Sequence, residues 1–482
     1  MKITELEKIE CKLKKIIKKE MLSESYDSAL NTISLCASIL YLSNIKYFDE
    51  FLELSLSKIS KKVCPTQKKY IASDVILYYD GLGFDERGLS LIYTKALSER
   101  KKLVYVTYNE YTDRIPKIKE ILSENNCKIY YIDRKGLNKT KQILSLKKIV
   151  DKTTPSTFIL YAYPDDVIAT TLLFAYENLF QRIQINLTDH AFWLGSMCID
   201  KCIEFREYGA NISFEYRHIE SNKIFLVPYY PKINSKIKFE GFPFENWNHL
   251  KVIFSGGSVY KTHSQDNAYY DIVRYILDNH NDSVFLYAGN GESKKMSKLV
   301  KDYPSRVAWI SERKDFYQII EKSFFYLNTY PVIGGMMTQY AAMAGKIPLT
   351  LMNSSSRNIL ENQEKLGINF YAISDAEKEI DKLFIDSAYK LNKEHLLKKS
   401  VPDENEFKLK LYSVLENRSK PFSSFKHEDV DSFRKEYINN FSYDDFAFEI
   451  TKKNIFTYNL LYAFGNYFFK GYIKRIIKLI KK

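Results

Sequence analysis

Between residues 328 and 348 the chain sets small and polar residues where an anion can be held. The apolar run 324–327 reads as the end of a buried strand. Gly334 and Gly335 follow and open a small-residue helix, which Gly345 and Pro348 close ahead of the apolar run 349–352. A strand, a glycine turn and a helix N-terminus together aim unpaired N–H groups and a partial positive charge beyond the sheet edge. Here those groups belong to Gly335, Met336 and Met337, with the Thr338 hydroxyl as a further donor one turn in. The natural guest is an anion, most often a diphosphate. The same residues also suit an ordinary helix packed on a sheet, so this turn alone does not decide.

Three more loops of the same half repeat the pattern. Ser255-Gly-Gly-Ser258 follows the apolar run 252–254, Gly289-Asn-Gly-Glu292 follows 284–288, and Ser311-Glu-Arg-Lys314 follows 307–310. Four strands that all end in small, polar or basic loops would face one cleft, and a structural protein has no need of them. Upstream, residues 75–79, 103–107, 128–132, 158–161 and 183–187 are short apolar runs separated by helical stretches. Strands alternating with helices imply parallel, doubly wound sheets, whose ligands bind at the carboxyl ends of the strands. The glycine-rich loop 80–88 and the segment 188–195, Thr-Asp-His-Ala-Phe-Trp-Leu-Gly, fall on that edge.

The first 66 residues have a different period. Leu6, Ile9, Leu13, Ile16 and Ile17 share one face of a helix over 4–20, and helical patterns recur over 26–42 and 48–62. They read as a helical cap on the first sheet domain, with membrane contact by the 6–17 face as the alternative. Residues 229–248, punctuated by Pro231, Gly241 and Pro243, read as a linker. The expected organisation is a cap over 1–66, a first sheet domain over 67–240, a second over 241–375 and terminal helices over 376–482.

With 482 residues, 45% of them hydrophobic and 15% aromatic, the chain is globular and large enough for two or three domains. A formal charge of +13 favours anionic partners. No nucleic-acid module is recognised, so nucleic acid is not expected among them. The six cysteines are scattered without a Cys-x-x-Cys, and the Lys- and Glu-rich start lacks the apolar core of a secretion signal. Both fit a reducing, cytoplasmic compartment. Cys198 and Cys202 stand one helical turn apart, a spacing that suits a core more than a metal site.

Two Rossmann-like halves with the loops of the second converging on an anion describe the GT-B architecture. Most of residues 70–375 resembles a GT-B nucleotide-sugar transferase, with similarity to the clan of O-GlcNAc transferases and bacterial cytoplasmic N-glucosyltransferases. Ala191-Phe-Trp-Leu-Gly195 is similar to that clan's Ala-Met-Trp-Leu-Gly turn. Val259-Tyr-Lys261 is similar to its Leu-Tyr-Lys, whose lysine sits on the donor diphosphate. Gly334-Gly-Met-Met-Thr338 with Ala342-Met-Ala-Gly345 resembles its Gly-x-Thr-Thr helix start and Trp-Ala-Gly end. The whole chain also resembles bacterial surface-polysaccharide glycosyltransferases.

The resemblance implies terminal helices that cross back to the first domain, and a hexosyltransferase with a UDP-sugar as co-substrate, no separate cofactor and no metal, since residues 70–375 carry no Asp-x-Asp motif. Lys261 is then the cation that stabilises the leaving diphosphate, beside the amides of Gly335, Met336 and Met337. Arg313 is placed beside the nucleoside. Ser255, Gly256, Gly257, Gly289, Asn290 and Gly291 would line the donor, and Glu292 would bind a sugar or ribose hydroxyl. Related families carry an acidic residue where Tyr340 stands, which puts ribose recognition there in doubt. The second sheet domain, 241–375, carries no Glu-x7-Glu pattern, which points to inversion, and inversion needs a base. His190 suits by type, because imidazole titrates near neutrality. Asp189 could tune it, and Asp85 and Glu86 are rivals.

At the far end, Ile473, Ile476, Ile477 and Ile480 share a helical face flanked by Lys474, Arg475, Lys478 and Lys481. This reads as a basic amphipathic helix lying on an anionic membrane surface at the inner face of the cell membrane. The alternative is a docking helix with a solvated basic face. The expected acceptor is a surface glycan or its lipid-linked precursor. A protein acceptor, or a GT-B-like partner subunit without activity, are the other readings.

Overall fold

The computed structural model describes residues 3–480 apart from 66–69, 86–88, 101, 187, 234–235, 265, 354–356, 361–365, 433 and 435–457. The chain divides into two units, one of residues 1–227 with 410–482 and one of residues 228–409.

The first unit begins with α1 (Ile3–Leu22), α2 (Tyr26–Ser43) and α3 (Glu50–Val63). The i, i+3, i+4 spacing of Leu6, Ile9, Leu13 and Ile17 buries all four in one core with Ile33, Leu56 and Ile59. That burial removes the membrane alternative for this face. Asp49 caps α3 by accepting from the Leu52 N–H at 3.1 Å, while its other oxygen takes Lys14 at 2.6 Å and Lys46 at 3.1 Å.

The sheet of this unit comprises β1 (Ser73–Asp80), β2 (Lys102–Tyr108), β3 (Lys128–Ile132), β4 (Pro155–Tyr161), β5 (Gln181–Ile185), β6 (Lys201–Glu204) and β7 (Ile224–Leu226). Their order is β3-β2-β1-β4-β5-β6-β7, and every pairing is parallel. The crossovers carry α4 (Ser90–Arg100), α5 (Pro116–Glu124), α6 (Lys139–Thr153), α7 (Ile168–Ala175) and α8 (Glu207–Glu215). Strand β1 buries Ile76, Leu77, Tyr78 and Tyr79 in succession, as a parallel strand covered on both faces must. Strand β6 escapes the apolar pattern because Lys201 and Glu204 bound it. Cys202 lies in it and Cys198 on the turn before it, both buried, so their spacing is not a turn of helix.

The second unit repeats the plan with β8 (Lys251–Gly256), β9 (Ser283–Ala288), β10 (Val307–Ile310), β11 (Phe325–Leu327), β12 (Pro348–Leu351) and β13 (Asn369–Phe370). The order is β10-β9-β8-β11-β12-β13, again all parallel. Between and after the strands lie α9 (Ala268–Asn279), α10 (Lys294–Asp302), α11 (Phe316–Lys322), α12 (Gly335–Met343), α13 (Ile373–Ile385) and α14 (Ser387–Lys398). Residues 229–248 are no free linker. Phe239, Phe242, Phe244 and Trp247 from this irregular stretch pack into the second core.

The boundary back to the first unit falls within α15 (Glu404–Leu415), and α16 (Tyr458–Phe464) and α17 (Asn466–Ile480) end the described chain. On the first unit the Tyr412 hydroxyl donates to the Ala96 carbonyl at 2.7 Å, and Phe425 stacks on Phe214 with centroids 4.3 Å apart.

Candidate functional site

In a doubly wound sheet ligands collect where the strand order reverses, at the carboxyl ends. In the second unit that place lies between β8 and β11. Strand β8 ends in Ser255 and Gly256, both buried, with the Tyr269 hydroxyl donating to Ser255 Oγ at 2.6 Å. The chain then turns at Gly257, whose φ of +129° suits glycine. A Cβ there would meet only Lys261, 3.8 Å from its Cδ and 3.9 Å from its Nζ. A single 3-10 turn, Val259–Thr262, brings Lys261 back over this opening.

Lys261 is half-buried, and among the described residues no carboxylate pairs with it. Burial alone shifts its ammonium, downward from the ordinary lysine value. A desolvated cation without a counter-ion is where an anion gains most.

Strand β11 leads into the other wall. Asn328, buried, accepts at Oδ1 from the N–H groups of Thr329 and Gly334, each at 3.0 Å. Its Nδ2 donates to Thr338 Oγ1 at 2.7 Å and Thr350 Oγ1 at 3.2 Å. This one side chain fixes the start of α12, whose N-cap is Gly334. The amides of Gly335, Met336 and Met337 are the first of the helix and have no acceptor within it. The Val332 N–H donates to the Lys261 carbonyl at 3.3 Å, which holds the loop before α12 against the turn of Lys261. The helix start and the cation thus border one place.

Other expected donor residues are placed differently. The Thr338 hydroxyl is buried, donates to the Gly334 carbonyl at 3.0 Å and accepts from Asn328. It shapes the helix start rather than facing a ligand. Arg313, expected beside a nucleoside, pairs through both ends of its guanidinium with Asp315 and donates to the Gly241 carbonyl at 2.7 Å. Asp315 stands two residues on and closes these donors, so Arg313 braces the 239–244 segment. At Gly289 a Cβ would fall 1.8 Å from the Gly257 carbonyl oxygen, so this glycine lets two strand ends approach. Asn290, Gly291 and Glu292 are exposed. Gly291 and Glu292 rim a cavity of about 700 Å³ that Lys294, Lys298, Lys301 and Trp309 also line. The Tyr340 hydroxyl donates to the Lys232 carbonyl at 2.9 Å, and its ring packs edge-on to Phe316.

In the first unit the corresponding edge carries Asp80, Asp85 and His190. Asp80 is buried, which pushes its carboxyl up. It accepts from the Tyr105 hydroxyl at 2.6 Å and from the N–H groups of Leu82 at 2.9 Å and Gly83 at 3.0 Å. Asp85, expected as a rival base, accepts from the N–H groups of Lys117 at 2.6 Å and Ile118 at 3.1 Å. Its carboxylate caps the start of α5 and is buried, so it serves structure there. Glu86, the other rival, lies outside the described residues.

His190 follows β5 with a side chain 42% exposed, its Nδ1 lying 3.4 Å from Asp189 Oδ1. Burial works against the Asp189 charge, yet Arg206 at 2.5 Å and His190 hold that carboxyl far below the usual range. The loop itself rests on three residues that periodicity does not single out. The buried Arg217 guanidinium donates to the carbonyls of Thr188 and Asp189 at 2.9 Å each and of Ala191 at 2.7 Å. It faces the rings of Tyr47 and Trp193. Glu53, from α3, accepts the Gly195 N–H at 2.7 Å. Asn44, from the end of α2, donates to the His190 carbonyl at 2.8 Å. The helices α2 and α3 therefore help to position the imidazole's loop.

No protein-family model matches the sequence, and comparison with curated proteins returns no match. Solved structures do resemble it. An O-GlcNAc transferase variant of Thermobaculum terrenum aligns over 81% of this chain and 77% of its own, at 10% identity and a TM-score of 0.52. The fold is GT-B. A glycosyltransferase of Rickettsia africae aligns over 73% of this chain and all of its own, at 10% identity and a TM-score of 0.49. The UDP-GlcNAc 2-epimerase of Neisseria meningitidis bound to UDP-GlcNAc aligns over 71% of this chain and all of its own, at 13% identity and a TM-score of 0.46. At such identities the likeness is one of fold alone.

Proposed function

We propose that the protein is a glycosyltransferase that moves a sugar from a UDP-sugar to a surface-glycan or lipid-linked acceptor, with inversion and without a metal. The observation that carries this reading is Lys261, a half-buried cation with no carboxylate partner among the described residues, beside the amides of α12. A diphosphate seated there would satisfy the amides of Gly335, Met336 and Met337 and neutralise Lys261. As the glycosidic bond to the donor breaks, negative charge grows on the leaving diphosphate, and both features are aimed at that charge. In the first unit His190 is the group of suitable type to take the acceptor hydroxyl proton, with Asp189 stabilising the imidazolium.

The test is calorimetric titration of the chain with UDP and a panel of UDP-sugars, followed by UDP release from the sugar that binds. Lys261→Ala is expected to lower turnover by roughly 10²–10³-fold. Undiminished UDP release by Lys261→Ala would overturn the assignment of this site. UDP binding without any turnover would favour a GT-B-like partner subunit.

A further inference from the structure

The two faces of α17 have different surroundings. Inward, Phe468 is buried and Tyr472 half-buried, and with Ala463 and Phe464 of α16 they close the core of the first unit. Lys12 of α1 donates to the Tyr462 carbonyl at 3.2 Å, fastening α16 to α1. Outward, Phe469, Ile473, Ile476, Ile477 and Ile480 stand 51, 56, 54, 46 and 79% exposed. Single exposed apolar residues are ordinary, whereas five on one short helix form a patch that marks an interaction surface.

The charge around the patch indicates its occupant. No Asp or Glu occurs between Tyr458 and Ile480, while Lys470, Lys474, Arg475 and Lys478 do. The side chain of Lys478 and the whole of Lys481 lie outside the described residues. Helix α1, against which α16 packs, exposes Lys8, Lys15, Lys18 and Lys19. A second copy would bring like charge to like charge. An anionic lipid surface matches the cations and accepts the isoleucines. Fifteen residues of α17 span about 22 Å, short of the ~30 Å hydrocarbon core. Among the described residues no helix is long and apolar enough to cross a membrane. The helix would therefore lie in the plane of the surface.

We propose that the exposed isoleucine face of α17 is a docking surface for an anionic lipid bilayer, with the flanking cations engaging lipid phosphates. This depends only on the surface of the first unit, and not on what the protein catalyses. The full chain is floated with vesicles of phosphatidylcholine, with and without phosphatidylglycerol, at low and high salt. Binding is expected only with phosphatidylglycerol, and salt is expected to weaken it. Ile473→Glu with Ile477→Glu is expected to weaken binding by about tenfold for each isoleucine. Lys470→Gln with Lys474→Gln is expected to weaken it by roughly fivefold for each cation and to reduce the salt dependence. Lys470, Ile473 and Ile477 are exposed and Lys474 is half-buried, and circular dichroism checks the fold. Should the isoleucine pair fail to fold, the lysine pair decides. Equal binding to both vesicle types, or wild-type binding by a folded isoleucine variant, overturns the proposal. So does failure to bind phosphatidylglycerol vesicles together with a dimer that the isoleucine substitutions dissociate, which assigns the face to a second copy.

Discussion

Lys261 is half-buried and Glu53 buried, and their surroundings give the two ionisable groups opposite uses. Among the described residues Lys261 has no carboxylate partner, and it can gain an anion. Glu53 accepts the Gly195 N–H, and burial pushes its carboxyl up from 4.5 to about 7. Below the unfolded value both states hold the proton. Between about 4.5 and about 7 the unfolded chain loses it while the fold keeps it, so stability falls as pH rises. The loss is on the order of 3 kcal/mol. Glu53→Gln keeps an acceptor for Gly195 and does not titrate. Urea midpoints of both proteins, measured near the two ends of that range, are expected to show wild type losing stability relative to Glu53→Gln. Parallel pH profiles would contradict this. For His190, replacement by Gln is expected to lower turnover by roughly 10²–10⁴-fold. Glycine spacing made the β8 and β11 turns legible in sequence, and residue type made His190 a candidate. Asn328, Arg217 and Glu53 were not legible, because each acts on backbone groups that only the fold brings near. Arg313 and Thr338 were candidates by type alone, and their partners Asp315, Gly241, Gly334 and Asn328 were likewise not legible.

Among the elements, α12 depends most on a single side chain outside it. Asn328 sits at the end of β11 and links Thr329, Gly334, Thr338 and Thr350. Asn328→Ala leaves the buried N–H groups of Thr329 and Gly334 without their acceptor and is expected to cost about 1–3 kcal/mol of stability. If α12 holds a diphosphate, the same change should weaken UDP affinity in calorimetric titration, with a rise in KM larger than the fall in kcat. An unchanged UDP affinity in a destabilised variant would separate Asn328 from the site. Most strands were legible as continuous apolar runs, because a sheet covered on both faces needs them. Strand β6 was not, since Lys201 and Glu204 are buried polar ends; Lys201 reaches the Val414 carbonyl and Asn417. Strand β13 has two residues, too few to carry a period. Prolines made 229–248 read as a linker, while its aromatic residues belong to a core.

At the scale of the molecule, the second unit is one continuous stretch and the first is not. The first unit takes Ala463, Phe464 and Phe468 into its core from beyond the second. Two lobes were legible from the repeated strand–helix alternation, and the GT-B resemblance implied terminal helices that cross back to the first; which residues they bury there was not legible, because burial of those aromatics depends on α1. A chain ending at Leu409 removes these residues, and loss of each buried phenylalanine side chain is expected to cost about 3–5 kcal/mol. The second unit keeps every residue of its sheet and the Lys261 site. Scanning calorimetry of the shortened chain is therefore expected to show the first unit's transition lowered or absent and the second's retained. At hundredfold excess over its dissociation constant, UDP is expected to stabilise that remaining transition by about 2.7 kcal/mol. A shortened chain that melts cooperatively like wild type would show that the terminal helices are dispensable to the first core. One that keeps its second transition but no longer responds to UDP would show that the nucleotide site is not contained within residues 228–409, against the reading of Lys261 and α12 as its two walls.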